Sequence, residues 1–270
     1  MHWTDTLNGS LQNRVVPDHL NANVLRRIRS FVRREGRMTP AQERALMESW
    51  ERFGVEVGAV LLNPLTLFGR HAPLILEIGF GDGESLVTMA TAHPDWDYLG
   101  IEVHRPGIGH LLLRAAALQL TNLRVLCADA MEIVEQRLPD ECLDRIQIFF
   151  PDPWPKTRHR KRRLVQAQQI ALLVRKLKPL GRLHVATDCE DYACSMLSLL
   201  NATPDLVNTA DGGGFALRPT ERPLTKFEQR GQRLGHVIRD LLFIRSGLAE
   251  QQSFDHNTQA FPEANVATGL

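Results

Sequence analysis

Apolar residues follow two alternating patterns between Leu74 and Arg245. Short, almost wholly apolar runs alternate with longer stretches in which apolar residues recur at helical spacing. This alternation is typical of βαβ units in an α/β fold with a largely parallel sheet. The predicted strands are Leu74–Ile78, Tyr98–Val103, Leu123–Cys127, Asp144–Phe150, Arg182–Ala186 and His236–Arg245, and the predicted helices are Glu84–Ala92, Pro106–Leu120, Ala130–Arg137, Arg162–Lys176, Tyr192–Asn201 and Thr225–Leu234.

The flanks of this region have a different character. Residues 1–22 lack periodicity and are predicted to be flexible, and the polar tail 246–270 is predicted to be disordered. Residues 23–72 are predicted to form a basic helical extension before a main domain at 73–245. Within it, Thr39 and Pro40 are typical of a helix start, and that helix is expected to run to about Arg52. The cations that make the extension basic are Arg26, Arg27, Arg29, Arg33, Arg34 and Arg37.

Composition sets few limits on function. The 270 residues are 43% hydrophobic and 23% charged, as in an ordinary globular protein, and the net charge of +1 means that nucleic-acid binding must be argued from local clusters. The four cysteines form no C-x-x-C pair, which argues against a zinc site or a disulfide framework. With no signal peptide and no apolar run of membrane-spanning length, we expect a cytoplasmic protein that contacts no membrane.

A glycine-rich turn with acidic residues follows the first predicted strand. The run from Glu77 to Gly83 places Gly79, Gly81 and Gly83 in G-x-G-x-G spacing, which differs from the G-x-G-x-x-G of dinucleotide folds. Asp82 within this turn favours a ligand with positive charge over a pyrophosphate.

Two further acids close the next strands. Glu102 ends the second strand, 19 residues after Gly83, where a carboxylate typically binds ribose hydroxyls, and Asp129 follows the third, where it could accept from an adenine amino group. A ribose, an adenine and a cationic centre together describe S-adenosylmethionine. Taken singly, each acid is equally well explained as a helix N-cap, and the glycines as a tight turn.

The fourth strand leads into a carboxylate between two prolines, in Pro151-Asp152-Pro153-Trp154. Ligands of open α/β sheets bind at the carboxyl ends of strands, where Asp152 is expected to lie. Six lysines and arginines and no acid occur from Lys156 to Arg163, a composition suited to phosphates. The alternative is a rigid proline-rich turn followed by a solvated basic helix start.

Several of these motifs occur together in one enzyme family. They are Ser30–Arg34, Leu76–Gly81, Gly100–His104, Phe149–Trp154, Lys161–Arg163, Ala186–Asp188 and Arg222–Gly231. From about Arg26 to Arg245 the chain resembles the bacterial tRNA (guanine-N7-)-methyltransferases. The resemblance implies a class I methyltransferase fold: Rossmann-like, with a seven-stranded, mostly parallel sheet, an antiparallel last strand and helices on both faces. It also implies methyl transfer from S-adenosylmethionine to guanine N7 in the tRNA variable loop, at position 46.

The resemblance assigns roles to individual positions. Asp152 would be catalytic and would also lie near the methyl donor. No metal and no DNA are expected, and the oligomeric state, monomer or homodimer, stays open. The implied donor-binding set, together with the glycines of the turn, is Glu77, Gly79, Gly81, Glu102, Asp129 and Asp152; the substrate-binding set is Lys156, Asp188, Thr225, Lys226, Phe227 and Glu228; the RNA-binding set is Arg158, His159, Arg160, Lys161, Arg162 and Arg163.

Some positions keep an alternative explanation. Cys189 stands where the family often has Trp, and Asp188 could cap the helix that contains Tyr192. Thr225 and Glu228 have the spacing of a capping box. Rival functions are another S-adenosylmethionine-dependent RNA methyltransferase, an amino-group methyltransferase, a nicotinamide-dependent oxidoreductase and a non-catalytic RNA-binding module.

Overall fold

The structure is a computed structural model that describes residues 30–31 and 36–247. The expectations for residues 1–22, for residues 248–270 and for the arginines at 26, 27, 29, 33 and 34 lie outside these described residues.

One seven-stranded sheet forms the centre of the described chain, with the strand order β3-β2-β1-β4-β5-β7-β6. Neighbours from β3 to β5 are parallel, whereas β7 is antiparallel to both β5 and β6. The predicted class I methyltransferase topology, with its antiparallel last strand, is confirmed. The strands are β1 Leu74–Ile78, β2 Asp97–Glu102, β3 Leu123–Cys127, β4 Leu143–Phe149, β5 Leu177–Thr187, β6 Leu206–Asn208 and β7 Arg239–Arg245.

Helices cover the sheet on both faces, as predicted. In β1 the side chains of Leu74, Leu76 and Ile78 enter one core with the helices that follow β3, β4 and β5, and Ile75 enters the other core. All five residues of β1 are buried, which explains why four of them are apolar and makes the fifth, Glu77, exceptional. The helices are α1 Pro40–Glu48, α2 Trp50–Phe53, α3 Pro64–Phe68, α4 Glu84–Ala92, α5 Arg105–Ala117, α6 Ala130–Gln136, α7 Ala167–Lys176, α8 Glu190–Asn201 and α9 Lys226–Arg233, with 3-10 helices at Thr157–Arg162 and Asp211–Gly213.

Helix α1 joins the N-terminal region to the main domain. It begins with a capping box in which Thr39 and Gln42 each accept a hydrogen bond from the other's backbone N–H. The helix packs on α5 at Gly109, where an added Cβ would lie 2.9 Å from the Gln42 backbone oxygen. The predicted single helix to Arg52 is wrong, because Ser49 separates α1 from α2.

Two other predicted boundaries are also wrong. Helix α7 begins at Ala167 and not at Arg162, because the cationic segment before it forms a separate 3-10 helix. Strand β5 begins at Leu177, well before the predicted start at Arg182. Its first part is irregular, with Leu180 at a φ of 66° and a register shift opposite Leu143 and Arg145 of β4. No helix within the described residues is long and apolar enough to cross a membrane.

Candidate active site

Five acidic residues lie side by side along the carboxyl edge of the parallel strands. The strand order β3-β2-β1-β4-β5 places Asp129, Glu102, Glu77, Asp152 and Asp188 in that sequence along the edge, each in the last positions of its strand or directly after it. The crossover direction of the sheet reverses between β1 and β4, where open α/β sheets bind their ligands. The structure therefore brings together the acids that the sequence singled out.

The glycine turn after β1 requires glycine at the two predicted positions. Gly79 and Gly81 have φ values of 72° and 61°, in the left-handed region that is strained for other residues. The backbone of Gly81 is also in close contact with α5, since a Cβ added at Gly107 would lie 1.9 Å from the Gly81 carbonyl oxygen. The turn consequently presents bare backbone next to Glu77.

Glu77 is an unusual carboxyl group, because it is 2% exposed and its Oε2 has no hydrogen-bond partner among the described residues. Burial, together with the nearby charges of Glu102 and Asp82, raises the pKa of Glu77 to about 8. Such a group is stabilised as a carboxylate only when a positive charge or a donor is placed beside it. The cationic amino acid portion of S-adenosylmethionine fits this requirement.

Glu102 and Asp129 have structural contacts of their own. The Glu102 carboxylate accepts hydrogen bonds from the backbone N–H groups of Gly81, Val103 and His104 at 2.7–3.0 Å, so it ties the glycine turn to the end of β2. Asp129 caps α6 by accepting from the Met131 N–H at 3.0 Å. The N-cap alternative for Asp129 is thus confirmed, and its donor-binding role stays a prediction that this contact does not oppose.

The loop that carries Asp152 leaves β4 through strained backbone. Phe150 and Trp154 have φ values of 53° and 43°, and the Phe150 N–H is bonded to the Ala186 carbonyl at 2.7 Å. Asp152 between them is exposed, as is the predicted substrate residue Lys156. The Trp154 indole donates to the Ser30 carbonyl at 3.1 Å, which joins the loop to the N-terminal segment.

Arg163 differs in its surroundings from the rest of the predicted RNA-binding set. Its guanidinium is buried, donates to the Pro153 carbonyl at 2.8 Å and to Asp191 at 2.5 Å, and lies 4.5 Å from the centre of the Tyr192 ring. Because it is buried as well as bonded on both sides, the Arg163 guanidinium is engaged within the protein. Arg163 fastens the Asp152 loop to α8.

The other cations of the segment from Arg158 to Arg163 are exposed or half-buried. Arg158, Arg160 and Lys161 are exposed, although Arg160 also forms a 3.0 Å ion pair with Asp191. Arg162 stacks on Trp154 at 5.0 Å and His159 meets the same ring edge-on. Desolvation and the surrounding cations, Arg158 and Arg162 first among them, lower the pKa of His159. Arg158, Arg160 and Lys161 are therefore the most exposed cations of the predicted RNA-binding set.

Asp188 contacts a residue that the sequence did not single out. Its Oδ2 lies 3.1 Å from His236 Nδ1, and it packs beside Gly231 of α9. The alternative role of Asp188 as a helix cap is wrong, because the N-cap of α8 is Cys189. Asp188 therefore faces the site between β5 and α9.

The segment Thr225–Glu228 divides into two parts. Thr225 caps α9 by accepting from the Glu228 N–H at 3.1 Å. The Glu228 side chain is buried and bonded to Arg222, so the structure does not place its carboxylate at a surface where a base could reach it. The side chains of Lys226 and Phe227 lie outside the described residues.

Known proteins are similar to this chain over most of its length. A family described as "Putative methyltransferase" matches residues 71–241. The chain is 52% identical to the tRNA (guanine-N(7)-)-methyltransferase of Alcanivorax borkumensis over 84% of this chain and 95% of that protein. The enzyme of the same name from Edwardsiella ictaluri is 53% identical over 83% of this chain and 94% of that protein. The chain belongs to the tRNA (guanine-N7-)-methyltransferase family.

A solved structure is also similar. The 16S rRNA (adenine(1408)-N(1))-methyltransferase from Catenulisporales acidiphilia shares 18% identity, with a TM-score of 0.48, over 69% of this chain and 93% of that one.

This member of the methyltransferase family contains a buried ionisable cluster near the site that sequence reasoning missed. Arg222, His184 and Asp240 form a buried cluster with Glu228. One signal was present in the sequence, because His184 and Asp240 are polar residues inside otherwise apolar strand patterns. His236 carried no comparable signal, since an exposed histidine after a helix is ordinary.

Proposed function

We propose that the protein transfers a methyl group from S-adenosylmethionine to N7 of a guanine in tRNA, at position 46 of the variable loop. The observation that carries this proposal is the pairing of β1 with β4, which sets Glu77, whose Oε2 has no hydrogen-bond partner in the described part of the chain, beside the Asp152 loop. Membership of the family, and the names of relatives about half identical over most of the chain, support the substrate class.

The donor would be held on the β1-β2-β3 half of the edge. S-adenosylmethionine supplies a methyl group on a positively charged sulfur. Glu77 would face the cationic portion, the backbone at Gly79 and Gly81 would approach it closely, and Glu102 and Asp129 would accept from the ribose and the adenine amino group. Each carboxylate oxygen has two lone pairs. Those that do not accept a backbone hydrogen bond are sufficient for the contacts with the donor.

The guanine would be held on the β4-β5 half. Guanine N7 carries a lone pair and no proton, so its attack on a methyl group requires alignment and a favourable field but no general base. Asp152 and Asp188 would accept hydrogen bonds from guanine N1–H and the exocyclic amine. Their negative charge would also stabilise the positive charge that develops on the purine ring.

The tRNA backbone would lie along the 3-10 helix after the Asp152 loop. Arg158, Arg160 and Lys161 provide exposed charge for phosphates, and Lys156 lies between them and Asp152. One base of the variable loop would be extruded into the site. We place this activity in the cytoplasm, in a catalytic domain at 73–245 with a basic extension before it.

A direct assay tests the proposal. The protein is incubated with S-adenosylmethionine and tRNA that lacks 7-methylguanosine, followed by nucleoside mass spectrometry and mapping of the modified position. Formation of 7-methylguanosine at position 46 is the expected result. A different methylated nucleoside would keep the donor and overturn the base assignment, and absence of donor binding would favour a non-catalytic RNA-binding protein.

A further inference from the structure

Four ionisable side chains are buried together behind the Asp152 loop. Arg222, Glu228, Asp240 and His184 are each at most 2% exposed. Arg222 Nη1 lies 2.5 Å from Glu228 Oε2, and Arg222 Nη2 donates to Asp240 Oδ2 at 2.9 Å. On its other oxygen, Asp240 lies 2.7 Å from His184 Nε2. Arg222 therefore bridges two carboxylates that belong to different elements, α9 and β7.

The same guanidinium lies against the aromatic residues that lead into the Asp152 loop. Its central carbon is 5.8 Å from the centre of the Phe149 ring and 6.0 Å from that of Phe150. The Phe149 ring also meets the His184 ring edge-on at 5.0 Å. The Arg222 side chain therefore contacts the end of β4, the start of α9 and strand β7.

The charges of the cluster do not cancel. Burial lowers the pKa of His184, and this effect outweighs the hydrogen bond with Asp240 that opposes it, so His184 is neutral near pH 7. Burial raises the pKa of Asp240, but the hydrogen bond from His184 and the charge of Arg222 outweigh it and hold the pKa below its usual value. Of the four side chains, Arg222 is then the one cation, and it faces the two carboxylates of Glu228 and Asp240.

Such a cluster is a poor means of stabilising a fold. Removing charges from water costs several kcal/mol for each ion, and apolar residues of similar volume often serve stability equally well. What the cluster does provide is defined geometry, because the planar fork of an arginine fixes the direction of each carboxylate it binds.

We propose that Arg222 is a positioning residue for the methyl transfer reaction. By bridging Glu228 and Asp240 beneath Phe149 and Phe150, it sets the first turn of α9 at a fixed distance from the Asp152 loop. Guanine would then be aligned between α9 and the Asp152 loop. Neither strand pairing nor helix capping joins these two surfaces to each other. This role rests on the proposed function, and Arg222 itself touches neither substrate nor donor.

The test compares three variants, with Arg245→Lys as the matched control. Arg222→Lys keeps the charge but loses the fork, and Glu228→Gln keeps the size but loses the charge that Arg222 binds. Arg245 is likewise an arginine paired with a glutamate, Glu141, but it is only partly buried and lies at the far end of β7. Each variant is assayed for donor affinity, for unfolding in urea, and for the single-turnover rate of 7-methylguanosine formation at saturating tRNA and donor.

The expected result is a fall of roughly 100-fold in the single-turnover rate per folded molecule for Arg222→Lys, because small displacements of reacting groups cost about that much. Donor affinity should stay within about twofold, and Arg245→Lys should keep the normal rate. Should Arg222→Lys fail to fold, Glu228→Gln tests the same contact, with a smaller fall in the same direction.

An unchanged rate per folded, donor-bound molecule in the variants that fold would overturn the positioning role and leave Arg222 with a structural role alone. That outcome is distinguishable from failure of the proposed function, in which the unaltered protein itself would form no 7-methylguanosine.

Discussion

Asp188 Oδ2 and His236 Nδ1 are 3.1 Å apart, which joins the end of β5 to the residues that follow α9. The backbone N–H of His236 is also bonded to the Gly231 carbonyl at 2.9 Å, so the ring is attached to the helix end. His236 can therefore hold one oxygen of Asp188 while the other faces the site.

Replacement of His236 by Ala should lower kcat/KM for tRNA about fivefold, the effect of losing one orienting hydrogen bond. Donor affinity should not change, because His236 lies on the β5 side of the edge. Steady-state kinetics at several tRNA concentrations check this, with the exposed His71→Ala as control. Equal effects of the two variants would contradict the orienting role.

Asp152→Asn should retain tRNA binding and lose methyl transfer by roughly 100- to 1,000-fold. The amide has the same shape but lacks the charge that would stabilise the purine cation. Single-turnover rates and filter binding of tRNA separate the two effects. The exposed Asp95, on a loop before β2, provides the control Asp95→Asn. Near-normal turnover in Asp152→Asn would remove Asp152 from the chemistry.

Glu77 should make the donor-free protein less stable as pH rises. Because its folded pKa of about 8 exceeds the ordinary 4.5, the folded state holds a proton that the unfolded state releases. The associated stability is fully present below pH 4.5 and is lost as pH rises through 8. The free energy of unfolding of the unaltered protein should therefore fall, relative to that of Glu77→Gln, by roughly 3 kcal/mol when the pH is raised from 5.5 to 8.5.

Urea unfolding of both proteins at the two pH values measures this difference. Titrating groups that do not interact with Glu77 cancel in the comparison, and any pH-independent effect of the substitution is the same at both pH values. A difference that stays constant with pH would show that Glu77 is ionised throughout. Addition of S-adenosylmethionine should reduce the difference, since a cation beside Glu77 favours its charged form.

The basic segment should separate into binding and structural residues. Replacing Arg158, Arg160 and Lys161 by Gln should weaken tRNA binding and reduce the slope of log affinity against log salt by about 2. Arg163→Gln should leave that slope unchanged and instead lower the free energy of unfolding by roughly 2 kcal/mol, because Arg163 contacts Pro153 and Asp191. A reduced salt slope in Arg163→Gln would return it to the RNA-binding set.

Sequence patterns were sufficient where a residue's role depends on its near neighbours. Strand Leu74–Ile78 and helix Glu84–Ala92 have the predicted bounds, because burial of a whole strand and the glycine before a helix are local features. The acids at the strand ends follow from the same logic, since parallel strands bring their carboxyl ends to one edge.

The remaining roles depend on partners that are distant in sequence. Arg163 has the composition of a solvated cation, and only the position of Asp191, on a different helix, makes it internal. Glu228 has the spacing of a capping box, but Arg222, which is itself bonded to Asp240, binds its side chain in the interior. Such contacts are decided by tertiary packing, which no periodicity of the chain encodes.

The reversal of strand order between β1 and β4 separates the edge into two independent halves. One half provides every predicted contact to the methyl donor except Asp152, and the other provides every predicted contact to the base. The glycine turn contains none of the predicted base contacts, which come from the residues after β4 and β5 and from α9. A scaffold organised in this way can acquire a new target base by altering one side of the sheet while its methyl supply stays intact.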